Sequence, residues 1–326
     1  MTGIAIVGQG YMGRTHADAW TRLGHGDDIR YLVAPGDREP GVAPGATFTN
    51  HLDEALLDPE VDRVCVCTPT PSHTEIAVRA LRAGKHVMLE KPNALTLEDA
   101  ATILEAARIA PGILMIAQVV RFFAGYEALV ALRDSHRLGA IASVRATRVL
   151  ARPTWAPWWP DESQSGGVPV DFAIHDYDQA NVLLGEPVAV RAVQLAPEAP
   201  LEATIEYATG GLAQVLSYPY LPQGSAFCSS LELVGEHGQA GYRLLAGAPT
   251  ESGASGESRL TIATVDGVES RDVADNDPYA RELEYFAHCI ETSTRPERST
   301  PESAVAALRV SLAVRESIAA GRRVEL

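Results

Sequence analysis

Basic residues are scarce in this chain: 27 Lys and Arg stand against 42 Asp and Glu in 326 residues, a formal net charge of −15. So acidic a balance opposes binding to nucleic acid or to an anionic membrane face. It still permits an anionic small ligand, because backbone amides can hold phosphate locally. Long apolar runs are also missing. No stretch approaches the ~18 residues of a membrane span. The amino terminus enters an apolar strand candidate by Ile4, with no basic region followed by a long apolar core. No secretory signal is expected, and the expected location is cytoplasmic. Cysteine is sparse, at positions 65, 67, 228 and 289. There is no Cys-x-x-Cys and no histidine pair at zinc spacing, so no metal site is expected. Cys65 and Cys67 lie two apart in one strand candidate, too close in the backbone for an ordinary disulfide, and read as reduced buried thiols. Internal repeats and low-complexity tails are absent as well.

What is present is an ordinary globular balance, 46% hydrophobic and 21% charged. The length suits about two domains of ~100–200 residues each. "GIAIVG" (3–8) is an apolar strand candidate, and Gly8, Gly10 and Gly13 follow in G-x-G-x-x-G spacing. "RTHADAWTRLG" then reads as a helix stopped by Gly24. The three glycines suit a tight turn, backbone approach to a pyrophosphate, and close helix–strand packing. Tyr11 and Met12 fall inside this loop. A glycine fingerprint that ends a first strand and opens a helix has the context a dinucleotide-binding loop requires.

The next strand candidate, "IRYLVA" (29–34), leads to Asp37 and Arg38. An acid here would bond the ribose hydroxyls of NAD, whereas an arginine would accept the 2′-phosphate of NADP. NAD is the favoured cofactor, with NADP open. "DRVCVCTP" (62–69) is a third strand candidate, closed by Thr68 and Pro69. His73 opens the following helix near the ligand edge, where a cofactor-side role and a surface or capping role are equally open. "KHVMLEKP" is another strand candidate, ending in Glu90, Lys91 and Pro92. Ligands of open α/β sheets bind beyond such carboxyl ends, so Lys91 is expected at a ligand crevice. Thr96 with Asp99 resembles a capping box for a helix, and "GILMIAQVV" (112–120) is one more strand candidate. The alternation predicts a Rossmann-type, doubly wound parallel α/β sheet over residues 1–120.

After residue 120 the rhythm changes. A long strand candidate, "ASVRATRVLAR", precedes a loop carrying Trp155, Trp158 and Trp159. A helix candidate over 170–184 follows, then successive strand candidates to about residue 272, with hairpin signals at Gly210-Gly211 and Asp266-Gly267. Two amphipathic helices end the chain. Residues 121–326 are thus expected to form an α+β domain on a large, mostly antiparallel, open-faced sheet. Its last helix, about 301–321, is expected to pack back toward the first domain. Asp171, His175 and Asp178 fall at i, i+4 and i+7, one face of a regular helix, where His175 can meet either carboxylate.

"GIAIVGQGYMG", "CTPTPSHTEIAVRALRAGKHVMLEKP", "RFFAGYEAL", "SGGVPVDFAIHDYDQANVLLG" and the closing "PESAVAALRVSLAVRESIAAGRRVEL" together resemble the Gfo/Idh/MocA oxidoreductases. These are relatives of glucose–fructose oxidoreductase and inositol dehydrogenase. The resemblance runs through essentially the whole chain. It implies NAD(P)-dependent chemistry on CH–OH groups of sugars, cyclitols or related polyols. It also implies a homodimer or homotetramer assembled through the open face of the C-terminal sheet. Glu90-Lys91-Pro92 matches the family's Glu-Lys-Pro, whose lysine lies beside nicotinamide and substrate. Asp171 and His175 match its Asp-x-x-x-His, whose histidine usually transfers the proton. One departure is Gln118-Val119-Val120 ahead of Arg121, where relatives often carry Asn, His or Arg.

Oxidising an alcohol removes a hydride from carbon and a proton from oxygen, and the cofactor takes the hydride. An imidazole, with its ordinary pKa near ~6.5, suits the proton. His175 is the expected base, Asp171 its orienting partner, and Lys91 the stabiliser of developing negative charge. Asp178 is expected to act behind them. Arg121, Arg152, Trp155, Trp158, Trp159 and Tyr177 are the expected substrate-binding residues, the tryptophans alternatively packing a domain junction. A dinucleotide- or sugar-sensing protein without turnover, or an enzyme that recycles tightly held NAD, remains an alternative on the same fold.

Overall fold

A computed structural model describes residues 3–154, 156–246, 256–274 and 276–326. The Trp155 expectation lies outside the described residues.

The first sheet follows from short apolar runs alternating with amphipathic helices. Its strands are β1 (Gly3–Val7), β2 (Ile29–Val33), β3 (Thr47–Thr49), β4 (Val61–Val66), β5 (His86–Glu90) and β6 (Leu114–Ala117). The helices between them are α1 (Tyr11–Arg22), α2 (Leu52–Leu57), α3 (His73–Arg82) and α4 (Leu97–Ile109). All strand pairs are parallel, in the order β3-β2-β1-β4-β5-β6. Every residue of β1 and β6 is buried, as expected of strands covered on both faces. The order reverses between β1 and β4, the switch point where such sheets open a crevice for ligands. The expected cap of α4 forms: Thr96 Oγ1 accepts from the Asp99 amide at 3.1 Å and donates to its carboxylate at 2.7 Å.

The chain continues through α5 (Ala124–Asp134), β7 (Ile141–Ala151), the short α6 (Glu162–Ser165) and α7 (Ile174–Leu184). Then come β8 (Pro187–Val193), β9 (Leu201–Tyr207), β10 (Leu212–Leu221), β11 (Phe227–Gly235), β12 (Gly238–Ala246), β13 (Glu257–Thr264) and β14 (Gly267–Asp272). Helices α8 (Pro278–Glu291) and α9 (Pro301–Ala320) and the short β15 (Val324–Glu325) close it. The second sheet has nine strands in the order β14-β13-β12-β11-β7-β10-β9-β8-β15. Among the described residues, only its β7–β10 pair is parallel. Both hairpin signals are realised, between β9 and β10 and between β13 and β14. Burial alternates along β9 and β10, the pattern of a sheet packed on one face only.

Two compact units result: Met1–Val119 with Trp155–Ser165 and Asp277–Val305, and Val120–Thr154 with Gly166–Asn276 and Ala306–Leu326. The path crosses between units more than once, so α8 belongs to the unit of the parallel sheet. Among the described residues no helix is long and apolar enough to cross a membrane.

The helix expected over 170–184 is not one regular α-helix. Val168–Phe172 form a π-turn closed by the Ala173 amide on the Val168 carbonyl at 2.9 Å, and α7 begins only at Ile174. Proline at 169 brings no amide to a regular ladder. Such turns recur at functional sites.

Candidate functional site

In the first unit, the carboxyl ends of β1, β4 and β5 lie in register: Val7 faces Val66, and Val66 faces Leu89. The glycine loop, Thr68-Pro69 and Glu90-Lys91 therefore emerge along one edge. Gly8 has φ +105°, and a Cβ there would sit 2.4 Å from the Cys67 carbonyl oxygen. A Cβ on Gly13 would sit 2.0 Å from the Gly8 carbonyl oxygen. Both are places where only glycine fits. Around Gly10, in contrast, a Cβ would meet nothing within 4 Å. Gly10 caps α1 without a side-chain hydrogen bond, and the first turn carries no acidic residue. Open space at an uncapped helix start fits a pyrophosphate.

Neighbouring side chains shape this edge. Gln9 Nε2 donates to the Asp37 carbonyl at 2.8 Å, and its Oε1 accepts the Glu39 amide at 2.8 Å, bracing the exposed Asp37 loop. Arg38 turns inward: its guanidinium donates to the carbonyls of Ala46, Val42 and Ala43. His73 is buried between the carbonyls of Pro92 (2.9 Å from Nδ1) and Thr68 (2.8 Å from Nε2), joining the segments after β4 and β5. Burial pulls its pKa down against those two carbonyls. Ser72 donates to Thr68 Oγ1 at 2.7 Å. Tyr11 and Pro69 are exposed, and Met12, Thr68 and Lys91 half-buried. Lys85 and Lys91 are the lysines of the chain. Lys85 is buried with its ammonium on the carbonyls of Val61 (2.6 Å) and Asp58 (2.9 Å). Lys91 is the other, just past the carboxyl end of β5, a scarcity legible in the composition. In this unit Trp159 is buried and Trp158 half-buried.

In the second unit, the segment 168–180 is buried except at Asp171, Phe172 and His175, which are half-buried. The π-turn and the start of α7 thus leave Asp171 and His175 on the accessible side of an otherwise enclosed segment. Asp178 is not on that side. It is 1% exposed and held bidentately by Arg121, at 2.7 Å from Nε and 2.5 Å from Nη2. Asp176, which sequence reading overlooked, is 0% exposed and held bidentately by Arg148 of β7, both bonds 2.9 Å. Burial works against charge on both arginines, and the paired carboxylates outweigh it, so both are held above the ordinary guanidinium range. The two pairs bracket α7 just beyond His175. A pattern signal existed, since Asp176 shares a helix face with the apolar Ala180 and Leu183, at i+4 and i+7.

Other expected substrate residues are placed differently. Tyr177 is fully enclosed, and burial pushes its phenol up. Arg152 is exposed, paired with Glu198 at 3.0 Å and lying 5.7 Å over the Tyr220 ring.

Two family models match the chain. One, described as "Oxidoreductase family, NAD-binding Rossmann fold", covers residues 2–118. The other, "Oxidoreductase family, C-terminal alpha/beta domain", covers residues 133–326. The chain is 28% identical to an inositol 2-dehydrogenase of Rhizobium meliloti, with 98% of each chain covered. It is 28% identical to a 1,5-anhydro-D-fructose reductase of Ensifer adhaerens, over 98% of this chain and 97% of that one. Among solved structures, GenD2 from gentamicin A biosynthesis in complex with NAD superposes with a TM-score of 0.83 at 26% identity, covering 100% of this chain and 96% of that chain.

Proposed function

The chain belongs to the Gfo/Idh/MocA oxidoreductase family, whose first domain is an NAD-binding Rossmann fold, and on that footing we propose that it moves a hydride between NAD and a CH–OH carbon of a sugar, cyclitol or related polyol. The observation that carries the reading is in the first unit: the uncapped helix start at Gly10, facing open space, and Lys91 share one edge of the parallel sheet. The names of the relatives support the substrate class, since an inositol and an anhydrofructose are both polyhydroxylated rings.

In this reading Gly8, Gly10, Tyr11, Met12 and Gly13 hold the pyrophosphate, with Thr68, Pro69, His73 and Glu90 lining the same edge. Asp37, on its Gln9-braced loop, meets the ribose hydroxyls. Arg38 spends its donors on three carbonyls, which favours NAD over NADP. The nicotinamide, when bound, supplies the hydride acceptor or donor. Lys91 places its ammonium against the substrate oxygen and stabilises the negative charge that grows there. His175 takes the hydroxyl proton in oxidation and returns it in reduction. Asp171 orients its ring and balances its charge. Arg121 and Arg148 act behind them, by holding α7. Trp158 offers a partly exposed ring to the C–H face of a sugar. A second copy of the chain docks on the open face of the nine-stranded sheet, and the protein works in the cytoplasm.

The test is a panel of myo-inositol, scyllo-inositol, levoglucosan and glucose with NAD⁺ or NADP⁺, and 1,5-anhydro-D-fructose with NADH or NADPH, read by nicotinamide absorbance. Turnover of at least one member with the NAD(H) couple is the expected result. Binding of NADH without turnover of any member counts against the reading. Cofactor that co-purifies and is not consumed points to internal recycling.

A further inference from the structure

Beneath the strand ends of the first unit lies a buried titratable cluster that the proposed proton transfer does not use. His16, three residues past Gly13 on α1, is 1% exposed, and its Nε2 meets Glu90 Oε1 at 2.8 Å. Glu90 ends β5, and its other oxygen accepts the Lys91 amide at 3.2 Å. Cys65 and Cys67 of the β4 end lie beside His16; Glu282 and Tyr279 of α8 and His73 of α3 are coupled to Glu90, with Arg298 acting on Glu282 and Tyr11 on Tyr279. Glu282 is 1% exposed, and its Oε1 finds no hydrogen-bond partner among the described residues.

Burial disfavours charge on His16, but Cys67, Cys65 and Glu90 together outweigh it and hold the imidazole well above its ordinary pKa. Burial, reinforced by Glu90, pushes the Glu282 carboxyl up. The imidazole and the Glu90 carboxyl thus form an enclosed hydrogen-bonded pair, with the buried Glu282 carboxyl near it.

We propose that His16 is a positioning residue, tying the helix that receives the pyrophosphate to the turn that presents Lys91. This rests on the reading of Lys91 above. The Glu90 carboxylate is divided between the two ends of the tie: one oxygen belongs to α1, the other to the Lys91 backbone. Two hydrogen bonds thus lead from the phosphate-binding helix to the lysine. A phosphate seated on α1 steadies residues 88–94 through them.

Backbone hydrogen exchange of the full chain, with and without saturating NADH, tests the tie in wild type, H16L, H16Q, E90Q and K91A. Leucine removes the donor, whereas glutamine keeps an N–H near the position of Nε2. In wild type and K91A, NADH slows exchange in both 10–16 and 88–94. In H16L the slowing persists in 10–16, and residues 88–94 exchange about tenfold faster than in NADH-bound wild type, the scale of one lost hydrogen bond to a charged group. H16Q restores most of the slowing. E90Q, which opens no cavity, repeats the H16L result if that variant fails to fold. Equal slowing at 88–94 in H16L and wild type overturns the proposal, as does an H16Q protein as impaired as H16L. Turnover of K91A judges the lysine reading and exchange at 88–94 judges the tie, so each fails without the other.

Discussion

Gly8, Gly10 and Gly13 occupy six residues and answer to three different constraints. A methyl group at Gly13 would overlap the Gly8 carbonyl at 2.0 Å, so Gly13→Ala is expected to lower unfolding free energy by about 1–3 kcal/mol in urea titration. Gly10→Ala meets no protein atom within 4 Å. It is expected to leave the melting temperature within about 2 °C while weakening NADH about tenfold or more, because the methyl takes space the pyrophosphate needs against the helix start. The spacing made the loop legible; that Gly10 borders open space is a property of three dimensions. His16 gives a signed pH effect. Its folded pKa is raised, so its contribution to stability is fully present below the unfolded value near ~6.5 and is lost as pH rises through the folded value. The stability gap between wild type and H16L, from urea midpoints, is therefore expected to shrink as pH climbs above ~6.5. His73 runs the other way, its depressed pKa costing stability as pH falls below ~6.5.

At the scale of elements, α7 is pinned by two buried arginine–aspartate pairs, Arg148–Asp176 and Arg121–Asp178. Removing one partner strands a buried charge. Arg148→Met is expected to cost about 3–5 kcal/mol in urea unfolding, and the double variant with Asp176→Leu to recover most of it. A double variant no better than the single would show that the arginine packs rather than pairs. Arg148 also lies 5.9 Å over Phe227, a contact both variants lose alike. Helix α7, Ile174–Leu184, was legible from periodicity, but the π-turn ahead of it was not, since no residue spacing marks an i→i+5 bond. Strand β3 was missed for a related reason: three residues are too few to show a period. The parallel strands were the most legible elements, because burial on both faces imposes short unbroken apolar runs.

For the whole molecule, alternation of strand and helix and its later collapse into successive strands were enough to foresee both sheets. The return of α8 to the first unit was not legible, because Glu282 meets neighbours some two hundred positions earlier in the chain. Every residue of β14 is exposed, on a sheet packed on one face. Light scattering is expected to show a mass of at least twice the 34.8 kDa chain; a monomer at micromolar concentration would remove the docking of a second copy. Cofactor linkage acts on the same scale: NADH at a hundred times its Kd is expected to raise unfolding free energy by about 2.7 kcal/mol if it binds the native state alone. The proposed hydride and proton transfer depends on Lys91 and His175. The most direct test is NAD(H)-linked turnover by K91A and H175A alongside NADH affinity by fluorescence, with whichever member of the polyol panel the wild type uses. The predicted result is a fall in turnover of about 10²-fold or more in each variant, with NADH Kd within about threefold of wild type. Undiminished turnover in either variant would contradict it.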